Sequence, residues 1–406
     1  MKRTCLIFPH SKSGFSLVEL LVALAIFGIL MTMVFRSFIP VVQHNSQQGR
    51  ISETKLETAI GLDLLRADLE HAGFGLPWSF TGAPNPYNEP DDSSFAPGVD
   101  IYLRPMSDAF TAAVPRALSS QDLSNASLNS SDYLSIKALN VIRGATSQKW
   151  GWLWRDAAHN AIIQSMGAED FIDKDRVIVI QPRENRRLVV NGAGLNFFAT
   201  ITPDAMTTSD ALKNFSPDES PLDPDGERYL LYGLDVDDEV PSKPPQRPFN
   251  RTDYYINNAN VPAHCAPGTG VLTKLTLNQD NTNFSFLPIV DCVADFQVVY
   301  YLDTTTPVDG GWDARADANG LNGMDAEEVR NRVKSVRCYI LTHEGGIDRN
   351  YNHPTVTVNV GEVAADGTTL LANAGRAFNL NTNIGATWDN YRWKVYSLAV
   401  TPRNLQ

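Results

Sequence analysis

The chain has 406 residues, 43% hydrophobic and 20% charged, with a net charge of −12. That length allows one to three domains, and the acidic balance argues against a nucleic-acid surface for the chain as a whole. Four cysteines without a C-x-x-C or C-x-x-C-H spacing leave a metal, redox or haem centre unsupported.

Chain order begins with Lys2, Arg3 and Lys12 ahead of an apolar run over 15–35 in which only Ser16, Glu19 and Thr32 are polar. As a helix that run is roughly 31 Å long, enough to cross a bilayer core. The basic flank predicts a cytoplasmic N-terminal end and export of the residues C-terminal to the run. Residues 31–38 offer no small-residue cleavage site, so an ordinary secretory signal does not fit. A plain anchor accounts for the length but not for Glu19, because an acid in the bilayer costs about 2.5–3.5 kcal/mol.

Gly14, Phe15 and Glu19, with the apolar run behind them, resemble the class III leader of type IV prepilins. The resemblance implies cleavage between Gly14 and Phe15 by prepilin peptidase and N-methylation of Phe15. It also implies that Glu19 pairs with the Phe15 amine of an adjacent subunit as a filament forms. Losing the leader removes Lys2, Arg3, Lys12 and Cys5, which takes the charge from −12 to −15.

Pro40 is expected to kink the helix, and 51–72 reads as a further helical length. Leu62, Leu65, Leu69 and Ala72 form one apolar stripe; Leu56, Ile60, Leu64 and Ala67 form another. Glu57 and Asp68 separate the stripes on one side. Two stripes predict two partners, either the chain's own sheet plus neighbouring helices or burial on two sides within a larger domain. Gly73, Gly75 and Pro77 end the helix.

Residues 85–97 read as a loop. Strands are predicted at 133–138, 176–181, 187–191, 229–234, 271–277, 293–302, 333–342, 355–360 and 391–400, with turn-rich connections at 216–228, 237–251 and 304–325. Phe296, Val298, Tyr300 and Leu302 alternate as in a strand with one buried face. Trp150, Trp152 and Trp154 would share one face of a strand, as packed core or as an exposed patch, with core expected. The expected organisation is a leader (1–14), a transmembrane helix (15–38), an amphipathic stalk (39–75), an inserted loop- and strand-rich region (76–260) and a C-terminal antiparallel sheet region (261–406). That is an α+β chain, a long helix against an antiparallel sheet.

Cys265 and Cys292 are a plausible disulfide, and Cys338 reads as a buried free thiol. Asp309, Asp313, Asp317 and Asn319 alternate as calcium ligands do, although Arg315 and the late Gly320 break the EF-hand pattern; solvated loop acid is the default there. Asp235, Asp237, Asp238 and Glu239 form a second acidic cluster. No catalytic motif occurs and the histidines are scattered, so an enzyme is not expected.

Residues 65–75, 333–341 and the ending 391–405 resemble PilW-type minor pilins. The resemblance implies a minor pilin in a priming or tip complex for type IV pilus assembly. Its partners would be other minor and major pilins, prepilin peptidase and the inner membrane, with the C-terminal domain in the periplasm and no cofactor beyond a possible calcium ion. The alternatives are a type II secretion pseudopilin and a tip adhesin module on a pilin stalk.

Overall fold

The apolar N-terminal run continues into the amphipathic one as a single helix, α1 (Leu17–Glu70), 54 residues long. In the computed structural model the described residues are 14, 16–80, 87–89, 106, 108, 114–122, 128–156, 158, 160–183, 185–191, 196–202, 210–217, 227–234, 244–279 and 284–405. The helix passes position 40 without interruption. The chain falls into two compact units, Met1–Glu53 and Thr54–Gln406.

In the second unit α1 lies on an eight-stranded antiparallel sheet. Its strands are β2 (Leu118–Asp122), β3 (Asp132–Ala138), β10 (Asn250–Asn257), β11 (Gly270–Leu277), β12 (Phe284–Leu302), β14 (Val333–Glu344) and β17 (Arg392–Val400), in the order β17-β14-β12-β11-β10-β3-β2, with β13 (Ala314–Ala316) on β12. A seven-stranded sheet has the order β1-β7-β6-β9-β4-β5, from β1 (Ser79–Phe80), β7 (Arg187–Leu188), β6 (Arg176–Gln181), β9 (Tyr229–Leu234), β4 (Trp150–Arg155) and β5 (Ala161–Ile163); β8 (Phe198–Thr200) adds to β6. A hairpin, β15 (Thr357–Val363) and β16 (Leu370–Asn379), completes the set. Helix-on-antiparallel-sheet is the expected α+β class.

The boundary expected at 260 divides one sheet, because β3 and β10 pair with each other and β10 pairs with β11. Residues 76–260 therefore supply β2, β3 and β10 to the main sheet as well as building the second sheet. β10 begins at Asn250, inside a stretch that composition marked as turn-rich. Its charged residues, Arg251 and Asp253, pair with buried groups rather than water.

The main core lies between α1 and one face of the main sheet. Leu65, Leu69 and Ala72 pack with Leu134, Phe296 and Ile340. Burying a leucine side chain contributes about 1.5–3 kcal/mol. Ile178, Ile180 and Leu234 carry one face of the second sheet into that core, while Leu153, Val177 and Leu231 on its other face pack over Phe215.

β12 is buried on both faces, not one. Phe296, Val298 and Tyr300 face α1, whereas Val299 and Tyr301 face the β15–β16 hairpin. Alternation along a strand cannot reveal a second cover that arrives from a distant part of the chain.

Cys265 and Cys292 form a disulfide across 27 residues, and Cys338 is a buried free thiol. Beside the disulfide, His343 Nε2 accepts from Ala266 N at 2.9 Å, and Nδ1 pairs with Gly345 O at 2.9 Å. This is the neutral tautomer with its proton on Nδ1. Burial lowers the pKa of His343 from 6.5 to about 4, with Gly345 opposing the shift and His264 adding to it. The unfolded chain therefore takes up the proton first. Stability should fall by up to about 3 kcal/mol as pH drops from 6.5 to 4. Urea unfolding at those two pH values, compared with His343→Gln, checks this; an equal loss in the variant would assign the effect elsewhere.

Candidate functional site

The site that the sequence points to is α1, and its two parts do different things. In the first unit, Leu17–Arg36 is the one helix among the described residues long and apolar enough to span a membrane, and none of it is buried. Leu17, Leu24 and Phe27 stand exposed with the rest of the run. In water such a surface is costly; in lipid it is matched to its surroundings. Thr32 satisfies its hydroxyl internally by donating to Gly28 O at 2.7 Å.

Glu19 sits in the first turn, where its Oε2 accepts from Ser16 N at 3.0 Å. A carboxylate there suits both the unpaired backbone donors and the positive end of the helix dipole. One such bond leaves acceptor capacity for a cation. Gly14 is exposed, with nothing within 4 Å of where a Cβ would stand. Phe15 lies outside the described residues.

In the second unit the helix is anchored by three features. Gly61 is buried, and a Cβ there would lie 2.1 Å from Ile289 O, so helix and β12 touch backbone to backbone. Asp68 accepts from Tyr254 Oη at 2.6 Å and from Lys274 Nζ, with Lys274 also donating to Val141 O at 2.9 Å. At the helix end Gly73 (φ +83°) turns the chain, and Arg403 bonds Glu70 through backbone and side chain. Asp68 is thus a buried anchor rather than a solvated separator, a role its place between two stripes disguises.

The inner stripe runs Thr54, Thr58, Gly61, Leu65, Asp68 and Leu69, all buried. The second stripe is divided. Leu64 is partly buried against the core, but Leu56 and Ile60 are 64% and 63% exposed. The chain's own sheet therefore accounts for one stripe only.

The other candidates separate. Asp309 Oδ1 accepts from Gly311 N at 2.8 Å, Asp313 Oδ1 from Thr304 Oγ1 at 2.6 Å and Asp317 Oδ1 from Asn319 N at 3.0 Å. Asn319 Oδ1 accepts from Asp122 N. Each oxygen shapes its own turn, and the three carboxylates do not form a cluster within 4.8 Å. Among the described residues, the ligand atoms of His264, Cys265 and Cys292 do lie within 4.8 Å of one another, but the two sulfurs are joined in the disulfide. The cluster at 235–239 lies outside the described residues.

The three tryptophans are not core. Gly151 and Leu153 point into the second sheet's own core, and Trp150, Trp152 and Trp154 take the opposite face, each at least partly exposed. Trp150 is 40% exposed and meets Trp152 edge to face at 6.5 Å; Arg228 stacks on Trp154 at 5.6 Å.

Residues 9–35 match the family model of the prokaryotic N-terminal methylation motif. The chain is type IV pilin-like. The match covers the leader and most of the apolar run, so this pilin-like chain is anchored in a membrane by α1. No curated protein matches it. Among solved structures, a type IV-like pilin from Thermus thermophilus is similar at 14% identity over 40% of this chain and 83% of that one, with a TM-score of 0.17, too slight a likeness to bear on the fold.

Removing Asp68 leaves Lys274 and Tyr254 buried without their acceptor. Asp68→Ala should cost about 3–5 kcal/mol, and Asp68→Ala combined with Lys274→Met should recover much of it. Urea unfolding of the three proteins measures both; a loss below about 1 kcal/mol in the single variant would show that the pair does not hold the helix.

Proposed function

We propose that this chain is a minor pilin, PilW-like, that inserts in the inner membrane and joins other minor pilins in a priming or tip complex for type IV pilus assembly. The observation that carries the reading is the methylation motif, which runs into the start of a helix whose outer stripe, Leu56 and Ile60, its own sheet leaves uncovered. Apolar side chains on a stalk call for apolar partners, and neighbouring helices supply them. Prepilin peptidase would cut between Gly14 and Phe15, and the methylated Phe15 amine of one subunit would pair with Glu19 of the next, since an unpaired carboxylate in lipid is costly. The exported domain would face the periplasm.

The role is non-catalytic. A second sheet beside the main one makes the domain bulky, which suits a filament end better than a packed shaft. A type II secretion pseudopilin has the same architecture. The exposed Trp150 and its neighbour Trp152 favour a second reading in its own right, a binding module displayed at the tip.

Glu19→Ala should leave membrane insertion intact and reduce surface pili at least about tenfold, counted by electron microscopy beside membrane fractionation. Normal piliation in that strain would reject the pairing. Immunogold labelling should mark filament ends; even labelling along the shaft would reject the tip position.

A further inference from the structure

On the face of the main sheet turned away from α1, five buried charges and the partly buried Arg116 lie together. Lys137 of β3 has no exposed side-chain surface, and its Nζ lies 2.6 Å from Asp108 Oδ2 and 2.9 Å from Glu89 Oε1. Arg116 Nε holds the other Asp108 oxygen at 2.7 Å. Arg251 lies between Glu89 and Asp253, at 2.8 Å from each. The Phe249 ring stands 5.4 Å from Nζ. An amine is thus clamped between two carboxyl groups, out of water, with each acid oriented by an arginine.

We propose that Lys137 and Asp108 condense to an amide in the folded protein, with Glu89 carrying the protons. A nitrogen 2.6 Å from a carboxylate oxygen lies about 3–3.5 Å from the carboxyl carbon, the spacing of reacting atoms in a near-attack arrangement. Two of the three ammonium protons pass, by way of Glu89, to one Asp108 oxygen. The nitrogen lone pair forms the bond to Cγ, the C–O bond breaks, and that oxygen leaves as water. No oxidant or reductant is needed.

Charge balance survives the step. The cluster loses one cation and one anion, leaving Arg116 and Arg251 beside Glu89 and Asp253. A neutral amide replaces an ion pair whose two charges are costly to desolvate, which favours the product. Contact between the groups makes the condensation unimolecular, and burial excludes the water that would reverse it. The bond would close a span of 29 residues and tie residue 108 to β3 for good. The linkage is independent of any role in a filament and is read from mass alone.

The test is intact mass of the full chain extracted from membranes, beside Lys137→Arg, which keeps the cation but cannot condense. The wild-type chain should be one water lighter than the substitution accounts for. Trypsin on the denatured protein should not cut after Lys137 and should release a branched peptide joining 108 to 137. Glu89→Gln, which keeps a hydrogen bond without carrying a proton, should fold and show at least about tenfold less linkage. A wild-type chain of full mass, cut after Lys137, overturns the proposal; if Lys137→Arg does not accumulate, the wild-type peptide map decides alone.

Discussion

The contact on which the rest of the second unit depends is the backbone approach of α1 to β12 at Gly61. Any side chain at that position would meet the carbonyl of Ile289. With the two backbones in touch, Leu65, Leu69 and Ala72 enter the core fully, and the carboxylate of Asp68 reaches Lys274 and Tyr254. A helix held so closely has its rotation determined. The stripe through Gly61 faces inward, and Leu56 and Ile60 point elsewhere by geometry. The uncovered apolar surface is thus a consequence of how the helix meets its own sheet.

Size follows from a second sheet that shares the first one's core. Ile178, Ile180 and Leu234 reach into the main cluster, while Leu153 and Val179 support a separate one. Both faces of β6 and β9 are therefore covered, and β4 projects its tryptophans beyond that cover. A third layer, the β15–β16 hairpin, closes the far face of β12 and β14 through Val360, Ala374 and Phe378. Arg376 of that hairpin reaches Asp295 of β12, an ion pair that ties the layers together.

Much of both sheets was legible in the sequence because many of their strands have strong local patterns. The predicted 176–181 and 229–234 coincide with β6 and β9, and 133–138, 271–277 and 391–400 differ from the observed strands by one residue at the start. β10 was not legible, since Asn250, Arg251, Asp253 and Asn257 look like loop until their partners are known. β12 extends to Phe284 through Pro288, which a strand tolerates where an edge is free. The same physics separates the two kinds of candidate residue. Glu19 was readable because an acid in an apolar run is anomalous on its own, whereas Asp68 and Lys137 become unusual only when the groups around them exclude water.

What the sequence determined by itself was the membrane anchor, its leader and the α+β class, because charge, length and apolar periodicity act locally along the chain. What only the tertiary structure decided was which stripe of α1 turns inward, where the acidic loops spend their oxygens, that the tryptophans stay outside, and that Lys137 lies between two carboxyl groups. Each of those depends on which distant segment covers a given face, and burial by a remote strand leaves no trace in the periodicity of the strand it covers.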